Sequence, residues 1–176
     1  MPTISAGAAE WYMSDKGLDP ELVVEQIELS FRVLDDMEGF LSERHISPAA
    51  DAVPDRAERI VVAQILENTY TAIETALLRI SQGFDNSLSP VRWHADLLDK
   101  MLLEKKGVRP RVLSAESHRL LTELMRFRHF KRYYLELDYD WEKLRFLLSV
   151  LHRCLPLARA ELSAFRAEVL RGLDAG

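Results

Sequence analysis

Between residues 55 and 81 apolar side chains recur at steps of three and four: Val62, Ile65, Leu66, Thr69, Ile73, Ala76, Leu77 and Ile80. Such a stripe stays on one face only when the backbone turns about once every 3.6 residues. A helix of that length presents a continuous apolar face, and other helices must cover it. The rest of the chain supplies them. Pro20 to about Glu43 reads as a first helix, with Asp19 as N-cap, Pro20 and Glu21 in the first turn, and Leu22, Ile27, Phe31, Leu34 and Leu41 on its apolar side. The central helix is expected from about Asp55 to Ser81, with Gly83 ending it. Ser89 and Pro90 suit the cap and first turn of a third helix running through Leu103. Ser114 caps a fourth, with Leu120, Leu121, Leu124, Phe127 and Phe130 facing inward and fraying near Tyr134. Asp140 caps a fifth, with an apolar line of Trp141, Leu144, Leu148, Leu151, Leu155, Leu162 and Phe165; Pro156 inside that line predicts a kink or break. His45–Pro54 and Gly107–Arg111 read as connectors, and no sustained alternation supports a strand. The expectation is an all-α fold, an antiparallel bundle of about five helices in one domain over residues 20–176, behind a loosely held arm at residues 1–19.

Bulk properties exclude several classes. An apolar content of 48% with 29% charged residues is that of an ordinary globular chain. No apolar run approaches the roughly 20 residues a bilayer demands, and the first residues lack the basic-then-apolar pattern of an export signal. Cys154 is the only cysteine, so no intramolecular disulfide can form and the cytoplasm is the expected compartment. A net charge of −5 argues against a protein that coats nucleic acid through its whole surface. Charge is nevertheless uneven. Residues 126–132 read Arg-Phe-Arg-His-Phe-Lys-Arg, four positive charges with His129 neutral, which leaves −5 − 4 = −9 elsewhere.

That basic run fits a focused anion site, an acidic partner, or a solvated helix end whose cations suit the macrodipole. Read alone, His129 is a surface histidine, Tyr133 and Tyr134 are packing residues with wet hydroxyls, and Trp93, His94 and Trp141 belong to the core and its caps. His94, Asp96 and Asp99 make no recognised metal set, Cys154 has no neighbouring ligands, and no glycine-rich phosphate loop exists. No metal or cofactor is expected.

Residues 119–144 read Arg-Leu-Leu-Thr-Glu-Leu-Met-Arg-Phe-Arg-His-Phe-Lys-Arg-Tyr-Tyr-Leu-Glu-Leu-Asp-Tyr-Asp-Trp-Glu-Lys-Leu. This resembles the signature of the HepT-like toxins of the HEPN superfamily: an Arg-Phe-Arg-His type run at a helix end, a short turn, then an Asp-Trp-Glu start to the next helix. Glu67-Asn68-Thr69-Tyr70-Thr71-Ala72-Ile73-Glu74 is similar to the family's long second helix. Trp93-His94-Ala95-Asp96-Leu97-Leu98 with Arg109-Pro110 is similar to the segment before the signature helix. The resemblance spans about residues 55–150.

It implies an arginine, four to six residues, then a histidine, cleaving RNA without a metal across a homodimer, with a minimal nucleotidyltransferase as cognate antitoxin. Histidine moves protons near neutral pH, and arginine's planar fork balances charge building on phosphorus. Aligned on the signature, the motif arginine is Arg128, but the motif histidine falls on Tyr133 and the family's following tyrosine on Leu135. Tyrosine, with an unperturbed pKa of about 10, is a poor general base. His129 is the nearest substitute. The implied site is therefore Arg128, His129 and Tyr133 for chemistry, Arg126, Lys131 and Arg132 for RNA phosphate, and Glu74 and Tyr134 in support, with Arg128 a possible partner of Glu74. The alternative is an inactive HEPN module that binds RNA, nucleotide or a partner protein.

Overall fold

The computed structural model describes residues 19–49, 52–84 and 93–174. Among these residues five helices follow one another: α1 Pro20–Glu43, α2 Arg56–Phe84, α3 Trp93–Met101, α4 Ala115–Tyr133 and α5 Trp141–Asp174. The all-α bundle expected from periodicity is what the chain forms. Among the described residues the only β-feature is an isolated bridge between Lys105 and Arg109. It closes around Gly107, whose φ of 72° lies in the left-handed region where a Cβ is unwelcome. Residues 1–18 of the arm expected at residues 1–19, and the cap pair Ser89 and Pro90, lie outside the described residues.

α2 is the axis of the bundle and packs against all four other helices. Every residue of its stripe, from Val62 to Ile80, is buried. Its start is fixed by a reciprocal cap: Glu58 N donates to Asp55 Oδ1 at 2.8 Å while Asp55 N donates to Glu58 Oε2 at 3.2 Å. Its end passes Gly83 by one residue. Phe84 meets Phe165 of α5 edge-on, with ring centroids 5.6 Å apart, and that contact holds the last turn past the glycine.

α1 begins where Asp19 Oδ1 accepts from Glu21 N at 3.0 Å, as its capping pattern predicts. Its buried line is Val23, Val24, Ile27, Ser30 and Leu34, and Leu22 is 47% exposed, contrary to expectation. The reason lies in Ser30. Its hydroxyl donates to Gln26 O and Ala72 O, each at 2.9 Å, so a polar residue occupies the seam where α1 meets α2. The true line through 23, 27, 30 and 34 is masked in the sequence by that serine.

α3 stops at Met101, short of the expected Leu103, because a buried arginine takes over its last carbonyls. Arg109, 2% exposed, donates to Lys100 O at 2.8 Å, Leu103 O at 2.9 Å and Pro110 O at 3.1 Å. α4 starts at the Ser114 cap, where Ser114 Oγ accepts from Ser117 N at 3.1 Å, and it buries Leu120, Leu121, Leu124 and Phe127. Phe130 is instead 51% exposed and stacks on Tyr134. α5 runs unbroken through Pro156. The proline sits on the exposed side, as does His152, whose carbonyl loses its N–H partner and can bond water. Buried Leu151, Cys154, Leu155, Ala158 and Leu162 keep both halves on the core.

Cys154 reports on that packing. It is fully buried, and burial followed by the charge of Glu161 pushes its thiol up to about 12. Native protein near neutral pH should therefore resist a thiol-alkylating reagent, and denatured protein should take up one equivalent within the same exposure. Rapid labelling of the native state, read by intact mass, would contradict this packing of α5.

Candidate functional site

Glu74 is a carboxylate in the middle of the apolar face of α2, only 3% exposed. A buried carboxylate is tolerated when donors take up its lone pairs and a cation balances its charge, and Glu74 has two hydrogen-bond partners and a guanidinium. Tyr70, one turn earlier, donates its hydroxyl to Glu74 Oε1 at 2.8 Å. His94 on α3 brings Nδ1 to the same oxygen at 2.5 Å. Arg128 on α4 places Nη1 3.4 Å from Oε2 and its guanidinium 6.0 Å from the Tyr70 ring centroid. One acid thus ties α2, α3 and α4 together. The Tyr70 hydroxyl is held far above the ordinary phenol range, by burial first and then by the charge of Glu74, so it remains a donor.

His129 follows Arg128 and turns toward α3 rather than α2. Its ring meets the His94 ring edge to face at a centroid distance of 5.0 Å, and His94 in turn lies against Trp93 at 3.6 Å. Burial, then the neighbouring His94 and Arg128, lower the pKa of His129 below the usual histidine value; Glu74 opposes and Arg132 adds slightly. The imidazole is therefore neutral at physiological pH, with a lone pair able to accept a proton. A fixed guanidinium beside a neutral imidazole can bind an anion and move a proton next to it.

The other residues singled out in the sequence are divided among several surroundings. Lys131 points to α2, where its ammonium pairs with Glu67 and bonds Gln64 Oε1 at 2.6 Å. Arg126 pairs with Glu123 one turn back at 2.7 Å, in solvent. Arg132 is exposed, with no carboxylate within ion-pair distance among the described residues. Tyr133 ends α4 and is 81% exposed. Tyr134 lies apart from the Glu74 cluster: it donates to Asp138 O at 3.0 Å and stacks on Phe130, lining a groove of about 560 Å³ between α4 and α5. His118 bonds Asp99 at 2.8 Å, Arg111 is exposed in its connector, and Arg145 pairs with Glu142.

His94 is the member that sequence reasoning passed over, because beside Trp93 it reads as core. The available signal was Glu74 itself: an acid inside an apolar stripe needs more than one donor, and a histidine at the start of the next helix is a natural second. Among the described residues no group of three His, Cys, Asp or Glu side chains is placed to hold a metal ion, and no helix is long and apolar enough to cross a membrane.

Removing one partner from a buried charge pair strands the other. Glu74→Ala should destabilise the fold by about 3–5 kcal/mol, whereas Glu74→Gln, which keeps an acceptor for Tyr70, should cost distinctly less. Urea unfolding measures both. An alanine variant as stable as the parent would mean that the cluster holds none of the three helices in place.

Searches of curated proteins and of solved structures returned no match to this chain. A family profile did: that of the HepT-like proteins aligns with residues 61–169, a segment running from the start of the α2 stripe to the last buried residue of α5 and holding Glu74, His94, Arg128 and His129. The match covers more than half of the chain, and the chain belongs to the HepT-like family.

Proposed function

We propose that this protein is the toxin-side member of a HEPN and nucleotidyltransferase toxin–antitoxin pair, and that it cleaves RNA by acid–base chemistry at the end of α4. The observation that carries this reading is the pairing of Arg128, anchored on buried Glu74, with a neutral His129 one residue on. His129 takes the proton of a ribose 2′-hydroxyl as that oxygen attacks the adjacent phosphorus. Arg128 balances the charge that builds on the phosphoryl oxygens. Tyr133 stands where the family pattern places its histidine, but a phenol is a weak base near neutral pH, so proton abstraction is assigned to His129. Arg132 contributes positive potential along the approach, while Arg126 is paired with Glu123 and Lys131 with Glu67.

The working unit in this reading is a homodimer in the cytoplasm that brings two α4 ends together, and the partner is a minimal nucleotidyltransferase. Support comes from the apolar side chains left open around the α4–α5 turn, with Phe130, Tyr133, Leu135 and Leu137 all more than half exposed. The second reading, an inactive HEPN module that binds RNA, nucleotide or protein, is favoured by Tyr133 alone.

Cleavage of a structured RNA by wild type, His129→Ala and Tyr133→Phe separates these readings. The histidine variant should lose about 10²–10⁴-fold in kcat/KM, the scale of one general acid–base group, while Tyr133→Phe stays close to wild type. Because a base must be unprotonated to act and the pKa of His129 is lowered, the acid limb of kcat/KM should fall below the ordinary histidine value of about 6.5. Wild-type RNA binding without cleavage, unchanged by His129→Ala, would establish the inactive module instead.

A further inference from the structure

Cleaving a phosphodiester requires two proton transfers, one from the attacking hydroxyl and one to the leaving oxygen, and His129 accounts for only the first. Beside it stands a second imidazole. His94 is mostly buried, its Nδ1 rests on Glu74 Oε1 at 2.5 Å, and its ring is clamped between Trp93 and His129. With Nδ1 committed to the carboxylate as donor, Nε2 makes no hydrogen bond to any described residue. A carboxylate on one ring nitrogen fixes the tautomer and offsets the charge when the other nitrogen carries a proton. The same carboxylate also anchors Arg128, so a single buried acid sets the positions of the cation and of this imidazole. The two rings stand perpendicular in direct contact, with centroids 5.0 Å apart, so both imidazoles border the same site.

We propose that Glu74 and His94 form a carboxylate–imidazole dyad whose Nε2 protonates the leaving 5′-oxygen of RNA while His129 accepts the 2′-hydroxyl proton. This role rests on the ribonuclease reading above. In the step, the O2′–H bond breaks and its proton passes to His129. The O2′–P bond forms, the P–O5′ bond breaks, and the departing oxygen takes the proton held on His94 Nε2. The products are a 2′,3′-cyclic phosphate and a 5′-hydroxyl; His129 leaves the step protonated and His94 neutral, and exchange with water resets both. His94 meets Glu74 from α2, His129 from α4 and Trp93 on its own helix, while Tyr70 and Arg128 share the Glu74 carboxylate with it.

The test compares RNA with uridine 3′-nitrophenyl phosphate, whose aryl oxide leaves without needing a proton. His94→Gln should slow RNA cleavage by at least about 100-fold while leaving the aryl ester within about threefold of wild type, whereas His129→Gln slows both. The ratio of the two rates is read in one preparation, so a smaller folded fraction lowers both alike and does not mimic the effect. Wild type supplies a check without any substitution: its RNA rate should show a larger solvent deuterium isotope effect than its aryl-ester rate, because only the RNA reaction hands a proton to the leaving oxygen. Equal loss on both substrates in His94→Gln, with equal wild-type isotope effects on the two, overturns the dyad and leaves the ribonuclease reading intact. Wild type that cleaves neither substrate overturns both.

Discussion

A carboxylate buried inside an apolar helix face costs several kcal/mol unless donors surround it, and Glu74 draws its donors from three helices. Its stripe neighbours Ile73, Ala76 and Leu77 could be covered by any apolar surface of the right shape. Glu74 is more demanding: it is satisfied only if α3 presents His94 at its first turn and α4 presents Arg128 near its last. That requirement selects one arrangement of α3 and α4 against α2, where apolar contact alone would leave sliding and rotation open. The same bonds bring His129 against His94, because Arg128 and His129 are adjacent on one helix and must point to different neighbours. Packing specificity and site geometry thus share one cause.

Much of the fold was legible because the signals were local. Asp19, Asp55 and Ser114 cap helices through bonds that reach only two or three residues along the chain. The α2 stripe is long enough that no other period fits it. Errors arose where a distant partner decided the matter. Leu22 looked like core because Ser30, the real occupant of the α1–α2 seam, is polar until Ala72 O is brought to it. Gly83 looked like a terminus until Phe165 caught Phe84. Pro156 looked like a break, yet the apolar residues flanking it hold both halves of α5 to one core.

The site was legible in part for the same reason. A pairing of Glu74 with Arg128 could be suspected from the family's second helix, since a mid-stripe acid calls for a cation. His94 could not be assigned so simply, because its role depends on how α3 packs against the middle of α2. Tyr134 was grouped with its sequence neighbours, but one residue past the last helical turn the backbone is extended, and its ring folds against Phe130 and Tyr139 instead. Adjacent residues at a helix end do not share a surface.

The electrostatics of the basic run also differ from what its composition suggests. Three of its four cations already face carboxylates: Arg126 with Glu123, Arg128 with Glu74 and Lys131 with Glu67. On a chain of net charge −5 that leaves little unpaired positive charge to release counterions from a polyanion. An RNA ligand would therefore be held weakly by charge alone, with a shallow salt dependence, and would need contacts from a second copy or a partner to gain affinity. The buried cluster behaves differently. Its charges are partly withdrawn from solvent, so salt screens them less and their effect on a bound phosphate is strong at short range. Under the proposed ribonuclease reading, a site that gathers RNA poorly but can polarise one phosphodiester would have its access set by assembly rather than by attraction.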